Sequence, residues 1–440
     1  MLFRVFMLLS LYATSAHGQD FVCGYVFDEI DEAEVRGMSP YPSLGLGSDV
    51  LGLSSHADPI NVLVLFGKFP GEIHERTGLP LEEAVLLDTY RFADRDGNET
   101  RLSTQLVDPT VEGSLAHYFE EMSNGNLHLA SADDDAPTTW YDGTADPGLG
   151  TPCSVRNWSN ALEEFSHAVL HDAYNNRARD NVDFTNVDLV AVITPRGMGN
   201  NRCPNGTFFR SLGWTSSDGA VTINRAITSD RNYYFSYMVG VMAHEYGHAL
   251  WLPELFDRTN ALYSGAAPSD HSAGVGYWGV MGRGTTGYEV GGFPDGPTPM
   301  SAWSRAEVGW ITPQPVSTDQ TNLAIHATNS ASPNVIRISV LNNTDEYFLL
   351  SNRQSGTTGS YYDDFLEQSG LLIWHIDESV RPHLPRENPA GSMNSSSCGS
   401  GCPSRLASPA GPAGGSASTS LMTTLAAARD GSKSSVSRAR

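Results

Sequence analysis

The chain has 440 residues, 40% of them apolar, which is enough for a substantial core in one large domain or two. Its 50 acidic and 27 basic residues give a net charge of −23. Such a surface repels phosphate backbones, so we expect a soluble protein with no nucleic-acid partner.

The first 18 residues are typical of an export signal. Arg4 supplies positive charge, VFMLLSLYA is an apolar run, and Ala16 and Gly18 are small residues suited to cleavage. The run is too short to span a bilayer, and no later stretch is long and apolar enough to do so. The sequence therefore predicts a secreted, extracellular protein without a membrane span, and we expect a monomer.

None of the cysteines has a metal-binding spacing, and export would place them in an oxidising compartment where disulfides form. Cys153 and Cys203 are candidates to pair, as are Cys398 and Cys402. Cys23 is either another disulfide partner or a residue that covers a metal before activation. Glycosylation sequons are present at Asn98, Asn157, Asn205, Asn342 and Asn394.

The ordered part of the chain begins after residues 19–57, an acidic lead-in or short propeptide. INVLVLF, residues 60–66, predicts a buried strand, and residues 114–122 predict a short amphipathic helix. A longer helix is expected to begin near Asn160, a capping residue with a glutamate three positions on. Its apolar face comprises Ala161, Leu162, Phe165, Ala168 and Val169.

Strands are also predicted at residues 188–195 and 220–227, on either side of less regular sequence. After Trp310 the chain turns to short β-rich runs, NVIRISVL, EYFLLSNR and LLIWHI, so residues 58–312 and 313–390 are interpreted as separate sections. Residues 391–440 are rich in Ser, Gly, Ala and Pro. That composition buries too little apolar surface to offset the conformational entropy lost on folding, so we expect a disordered tail.

The stretch VMAHEYGHALWLPELFD lies on a predicted helix over residues 233–251. His244 and His248 are four residues apart, so their rings project from one face and can reach a single Zn²⁺. Glu245 is the predicted general base, which takes a proton from zinc-activated water and passes it to the leaving amine. The alternative is a chance motif, but polar groups in a buried helix are costly unless a metal or another partner satisfies them.

The third metal ligand is a choice between two carboxylates. Glu254 lies six residues beyond His248 and is preferred, and Asp257, nine residues beyond, is the competitor. Pro253, which follows the histidines and precedes both carboxylates, is expected to end the helix. Whichever carboxylate does not bind the metal is expected to orient a histidine N–H.

Several segments resemble M6-type (immune inhibitor A-like) secreted zinc metallopeptidases, which have a metzincin-like site. In chain order they are YFEEMSNGNLHL, HEYGHALWLPELFD, GYWGVMGRG, MSAWSRAEVGW and GLLIWHIDE. The resemblance runs from about residue 58 to 380, and the segments follow the family's order. The resemblance implies endopeptidase activity on extracellular proteins, His244 and His248 as zinc ligands, Glu245 as base, and Met281 as an apolar floor below the metal. This sequence departs from the family at Trp251, where glycine is usual, at Glu254, where aspartate is common, and at Ser351, where glutamate is usual.

We therefore expect an α+β catalytic domain, with a twisted sheet backed by helices, an active-site helix and a methionine turn, followed by a smaller β-rich section. The rival interpretation is an inactive secreted binding or adhesion protein on a peptidase scaffold. Two lesser hypotheses concern single residues. Tyr288 and Arg283 are candidates to stabilise an oxyanion, and His375 is interpreted as structural, with Asp377 as a hydrogen-bond partner.

Overall fold

The structure is a computed structural model. It describes residues 22–23, 59–74, 77–84, 91–93, 99–101, 106–133, 139–145, 155–194, 206–230, 235–250, 252–253, 255, 275–282, 284–288, 296–328, 334–340, 345–355, 360–364, 366, 369–378 and 422–428. The export signal and all but two residues of the acidic lead-in lie outside these ranges.

A largely parallel sheet occupies the first half of the described chain. Its strands are β1 (Val22–Cys23), β2 (Ile60–Lys68), β5 (Leu129–Ser131), β6 (Trp140–Asp142), β7 (Leu189–Thr194), β8 (Gly206–Thr215) and β9 (Thr222–Asp230). The order is β1-β8-β9-β7-β2-β5, with β6 also on the β2 edge, and only the β8–β9 pairing is antiparallel. Strands β3 (Arg91–Ala93) and β4 (Glu99–Arg101) form a separate hairpin.

The sheet is buried on both faces, as the apolar run Val62–Phe66 of β2 indicates. Because side chains alternate along a strand, Val62 and Val64 face one core while Leu63 and Leu65 face another. Strand β7 divides its side chains between the same two cores. The predicted strands at 60–66 and 188–195 are thus confirmed.

Helices cover both faces of this sheet. The described helices are α1 (Leu81–Ala84), α2 (Leu115–Met122), α3 (Val155–Asp180), α4 (Phe235–Ala249) and α5 (Ala302–Glu307). Helix α3 packs Leu162, Phe165 and Val169 on one face, whereas α2 and α4 pack on the other. The prediction of a helix start near Asn160 is wrong, since α3 begins at Val155. An Asn cap contributes only about 1 kcal/mol, and no proline in between stops the helix from extending upstream.

A second sheet follows α5. Its order is β10 (Gln314–Val316), β11 (Val335–Ser339), β12 (Glu346–Arg353), β13 (Gly370–Asp377) and β14 (Met422–Ala428), with only β10–β11 parallel. Strand β14 falls within the segment predicted to be disordered, so the prediction is wrong for these seven residues. Its sequence, MTTLAAA, carries an apolar and β-branched stretch that the average composition of the tail conceals.

The two sheets meet in one continuous core. Tyr347, Trp374 and Ile376 of the second sheet belong to the same apolar cluster as α2, α4 and the even-numbered side chains of β2. The buried guanidinium of Arg305 in α5 crosses the junction and donates to the carbonyl oxygens of Met122 and Thr328. This mixture of helices and sheets is compatible with the predicted α+β class. Within the described ranges, no helix combines the length and apolar character needed to cross a bilayer.

Candidate functional site

Helix α4 carries the histidine motif through the interior of the molecule. Met238, Val241, Met242 and Tyr246 are buried along it, so the helix is enclosed rather than amphipathic at the surface. His244 is fully buried and His248 is 6% exposed. The motif therefore lies in a nearly dry environment, where imidazole groups need polar partners.

The two rings face one another across one turn of α4. Their Nε2 atoms are 3.2 Å apart, their centroids are 4.8 Å apart, and their planes cross at 88°. Two nitrogens bound at about 2.0–2.1 Å to one tetrahedral Zn²⁺ lie about 3.3–3.4 Å apart. The observed separation is therefore suited to two ligands of a single ion.

Each ring is oriented by a main-chain carbonyl through its other nitrogen. His244 Nδ1 lies 2.7 Å from the Val280 oxygen, and His248 Nδ1 lies 2.8 Å from the Leu252 oxygen. A carbonyl oxygen only accepts, so each Nδ1 carries the hydrogen and each neutral ring directs its Nε2 lone pair toward the other ring. This orientation of both Nε2 atoms is the one that two ligands of a single ion adopt.

Glu245 follows His244 directly and is fully buried. At 3.6 residues per turn it lies on the side of α4 next to the face that carries both rings. A carboxylate shielded from bulk water can take and return a proton without competition from solvent.

The segment around Met281 packs directly beneath this turn of the helix. Gly247 has no side chain, and a Cβ there would overlap the sulfur of the buried Met281. A Cβ on Gly240, two turns earlier, would overlap the carbonyl oxygen of Thr285. These glycines allow the segment to approach the helix closely enough for the Val280 oxygen to reach His244.

The chain folds back immediately after α4. The Leu252 amide donates to the Gly247 oxygen at 3.0 Å, which brings the Leu252 carbonyl to His248. The Leu255 amide then donates to the Met281 oxygen at 2.8 Å. These two hydrogen bonds bring the chain after α4 back toward the helix and the Met281 segment, and Trp251 and Glu254 lie outside the described residues.

Neither candidate for the third ligand can be placed, because Glu254 and Asp257 both lie outside the described residues. Within the described part of the chain, no group of three or more His, Cys, Asp or Glu side chains is arranged to hold a metal. The Nε2 atoms of His244 and His248 are close enough to bind one ion together, and both their role as ligands and the third position stay predictions.

Two other sequence hypotheses concern residues farther along the chain. The Tyr288 hydroxyl donates to Asp363 and accepts from Arg353, both at 2.9 Å, and burial raises the pKa of Tyr288 well above its ordinary value. It is thus part of a buried polar network, and Arg283 lies outside the described residues. His375 bonds to Glu346 at 2.6 Å and stacks on Phe348, so the carboxylate placed beside it is not the predicted Asp377.

Sequence reasoning missed the main-chain groups that orient the site. Val280 and Leu252 act through their carbonyl oxygens, which leave no trace in residue type. Gly240 and Gly247 do leave a signal. Two glycines seven residues apart lie on one face of a helix, and glycine inside a buried helix indicates close approach by another segment.

Comparison with known proteins gives a distant relationship. No family model matches the chain. Two curated relatives, both named pre-pro-metalloprotease PrtV and from two strains of Vibrio cholerae serotype O1, are 25% identical over 278 residues. The match covers 52% of this chain and 28% of each relative, so the chain spans less than a third of their length. The chain is thus related to a metalloprotease, which suggests a peptidase.

Proposed function

We propose that this chain is a secreted zinc-dependent endopeptidase that hydrolyses peptide bonds of extracellular proteins. The observation that carries the proposal is the pair of Nε2 atoms 3.2 Å apart, in rings whose Nδ1 atoms both reach carbonyl oxygens. The distant relationship to a metalloprotease supports the peptidase part of the proposal. The resemblance to M6-type metallopeptidases adds Glu245 as general base.

His244 and His248 would hold the ion, and Glu254 is proposed as the third ligand, with Asp257 as its competitor. The donor set is chemically suited to zinc, which binds neutral imidazole and carboxylate and keeps one position open in catalytic sites. When bound, Zn²⁺ lowers the pKa of a water molecule to about 7 and stabilises negative charge on a carbonyl oxygen.

The protein groups supply orientation and proton transfer. Glu245 accepts a proton from the attacking water as its oxygen bonds to the scissile carbonyl carbon. It then returns that proton to the amide nitrogen as the carbon–nitrogen bond breaks. The products are a new carboxyl end and a new amine end, so one water molecule is consumed. The Val280 and Leu252 carbonyls keep both rings in the tautomer that the site needs.

The compartment and the partners of the protein follow from the sequence. The export signal, the sequons and the cysteine usage support secretion, and residues 19–57 are proposed to be a short propeptide. We propose protein or peptide substrates and a monomeric enzyme. The rival hypothesis, an inactive binding or adhesion protein, shares the metal site and differs only in turnover.

The deciding experiment combines zinc content with cleavage of unfolded casein. The full chain is tested with and without limited proteolysis of its N-terminal segment, alongside Glu245→Gln and His248→Ala. We expect about one zinc per wild-type chain and cleavage that a chelator abolishes. Glu245→Gln should retain zinc and lose cleavage, whereas His248→Ala should lose both.

Two results would contradict this proposal in different ways. A wild-type chain that binds zinc but never cleaves casein favours the binding-protein interpretation. A folded chain without zinc removes both interpretations, because each depends on the histidine pair.

A further inference from the structure

A buried ion pair between the end of β12 and the turn Tyr361–Asp363 bonds to the segment that orients His244. Arg353, the last residue of β12, donates through Nε and Nη2 to the two carboxylate oxygens of Asp363, at 2.7 and 2.5 Å. The two side chains are 3% and 0% exposed. Paired parallel bonds of this kind fix the relative orientation of the guanidinium and the carboxylate.

The same pair reaches out to the segment that contains Val280 and Met281. Arg353 Nη2 donates to the Tyr288 hydroxyl at 2.9 Å, and Nη1 donates to the Trp278 carbonyl at 3.4 Å. The Tyr288 hydroxyl in turn donates to Asp363 at 2.9 Å, and its ring lies edge-on to Trp278. Arg353 thus bonds to both Trp278 and Tyr288, and Asp363 bonds to Tyr288.

Residues 280 and 281, just beyond Trp278, make the contacts that matter for the candidate metal site. The Val280 oxygen accepts from His244, and the Met281 oxygen accepts from the Leu255 amide. Leu255 directly follows Glu254, the preferred third ligand. One short segment therefore bonds to a histidine of the pair and to the chain beside the carboxylate candidate.

We propose that Arg353 and Asp363 are positioning residues for the metal site, which act through the segment from Trp278 to Tyr288. The inference rests on the proposed function and adds to it that the second sheet is part of the site's supporting structure. A catalytic section that ended at residue 312 would lack both residues.

The chemistry of Arg353 makes its role testable by a conservative change. Burial lowers the pKa of Arg353, but the Asp363 carboxylate raises it further, so the guanidinium stays charged and its pKa lies above its ordinary value. Lysine keeps the charge but has no planar fork, so it cannot bond Asp363, Tyr288 and Trp278 together. Arg353→Lys therefore tests geometry rather than charge.

The matched control for Arg353→Lys is Arg305→Lys. Arg305 is also a buried arginine at the junction of the two sections, but its bonds go to Met122, Asn124 and Thr328. Tyr288→Phe is a milder second variant that leaves the ion pair in place, and Tyr347→Phe is its control. The Tyr347 hydroxyl is bonded to Glu378, away from the Trp278–Tyr288 segment.

The experiment uses the full chain and three readouts. These are zinc affinity by chelator competition, the visible spectrum of the Co²⁺-substituted protein, and hydrogen exchange in residues 275–288 without metal. Arg353→Lys and Tyr288→Phe should weaken zinc binding about tenfold, the low end of the range for groups that support metal ligands. They should also shift the cobalt spectrum and speed exchange in the segment, while both controls leave these readouts unchanged.

The outcomes separate this inference from the proposed function. If wild type binds zinc and the Arg353 and Tyr288 variants match their controls in all three readouts, the positioning role is refuted and the peptidase proposal stands. If Arg353→Lys does not fold, Tyr288→Phe against Tyr347→Phe decides in the same way. If wild type binds no zinc, the proposed function fails and the inference fails with it.

Discussion

Gly247 separates the two histidines of the motif and allows Met281 to approach the helix. For Gly247→Ala, helix propensity predicts a gain in the free energy of unfolding, whereas this contact predicts a loss. A methyl group at position 247 would overlap the Met281 sulfur and reach van der Waals contact with Leu252. Met281 is 1% exposed, so its side chain has little empty space into which it can move.

Two free-energy terms decide the outcome. Alanine is favoured over glycine inside a helix by about 0.8–1.0 kcal/mol. Inserting a methyl group into a packed core costs about 1–3 kcal/mol. Because Met281 is enclosed, we expect the second term to exceed the first by up to about 2 kcal/mol, equivalent in a chain of this length to a fall in melting temperature of up to about 3 °C.

The assay is a double-mutant cycle on the metal-free protein, measured by denaturant and thermal unfolding. Met281→Ala alone should cost about 2–5 kcal/mol through the cavity that it leaves. The double variant should be less destabilised than the sum of the single changes by about 1 kcal/mol or more, since the new methyl occupies part of that cavity. If Gly247→Ala instead raises the melting temperature and the two changes are additive, the close contact does not exist.

Further predictions concern the fold around the site. Ser114→Ala removes the side chain that caps α2 and should cost about 1 kcal/mol in urea titrations, and Ser114→Gly only a few tenths; equal losses would contradict the capping role. Phe165→Ala empties the space against Gly67 and should cost about 3–5 kcal/mol, so a loss below about 1 kcal/mol would refute that packing. Hydrogen bonding from Ser216 is the main cause that lowers the pKa of Asp218 to about 2. The stabilisation that the hydrogen-bonded Asp218 carboxylate contributes is therefore complete above about pH 3.9 and is lost as the pH falls toward 2. Asp218→Asn should make the free energy of unfolding less dependent on pH in that window. An unchanged pH dependence would contradict the stabilising role of the hydrogen bonds to Asp218.

The sequence predicts the central strands and the histidine helix well, because their signals are local. A continuous apolar run such as residues 62–66 is stable only where both faces are covered, and the structure covers both. His244 and His248 are brought together by helical spacing alone, so their proximity follows from the chain itself. Roles as metal ligands and the division at residue 312 stay predictions.

What the sequence did not predict depends on contacts between distant segments. Arg353 was overlooked beside Ser351, because only the folded chain brings it to Asp363 and Tyr288. The start of α3 was misplaced, since a capping pattern is a weak preference that neighbouring helix formation overrides. The tail was assigned from its average composition, which hides the short run that pairs as β14.

Both imidazoles are steered by oxygens of the polypeptide backbone, which every amino acid possesses. Replacing the side chain at position 280 or 252 therefore leaves the acceptor in place, provided the local path of the chain persists. Because both side chains are buried in the core, substitutions that keep their volume should leave ring orientation unchanged. Insertions or deletions nearby would shift the oxygens themselves, so changes of length are the more damaging kind of variation here.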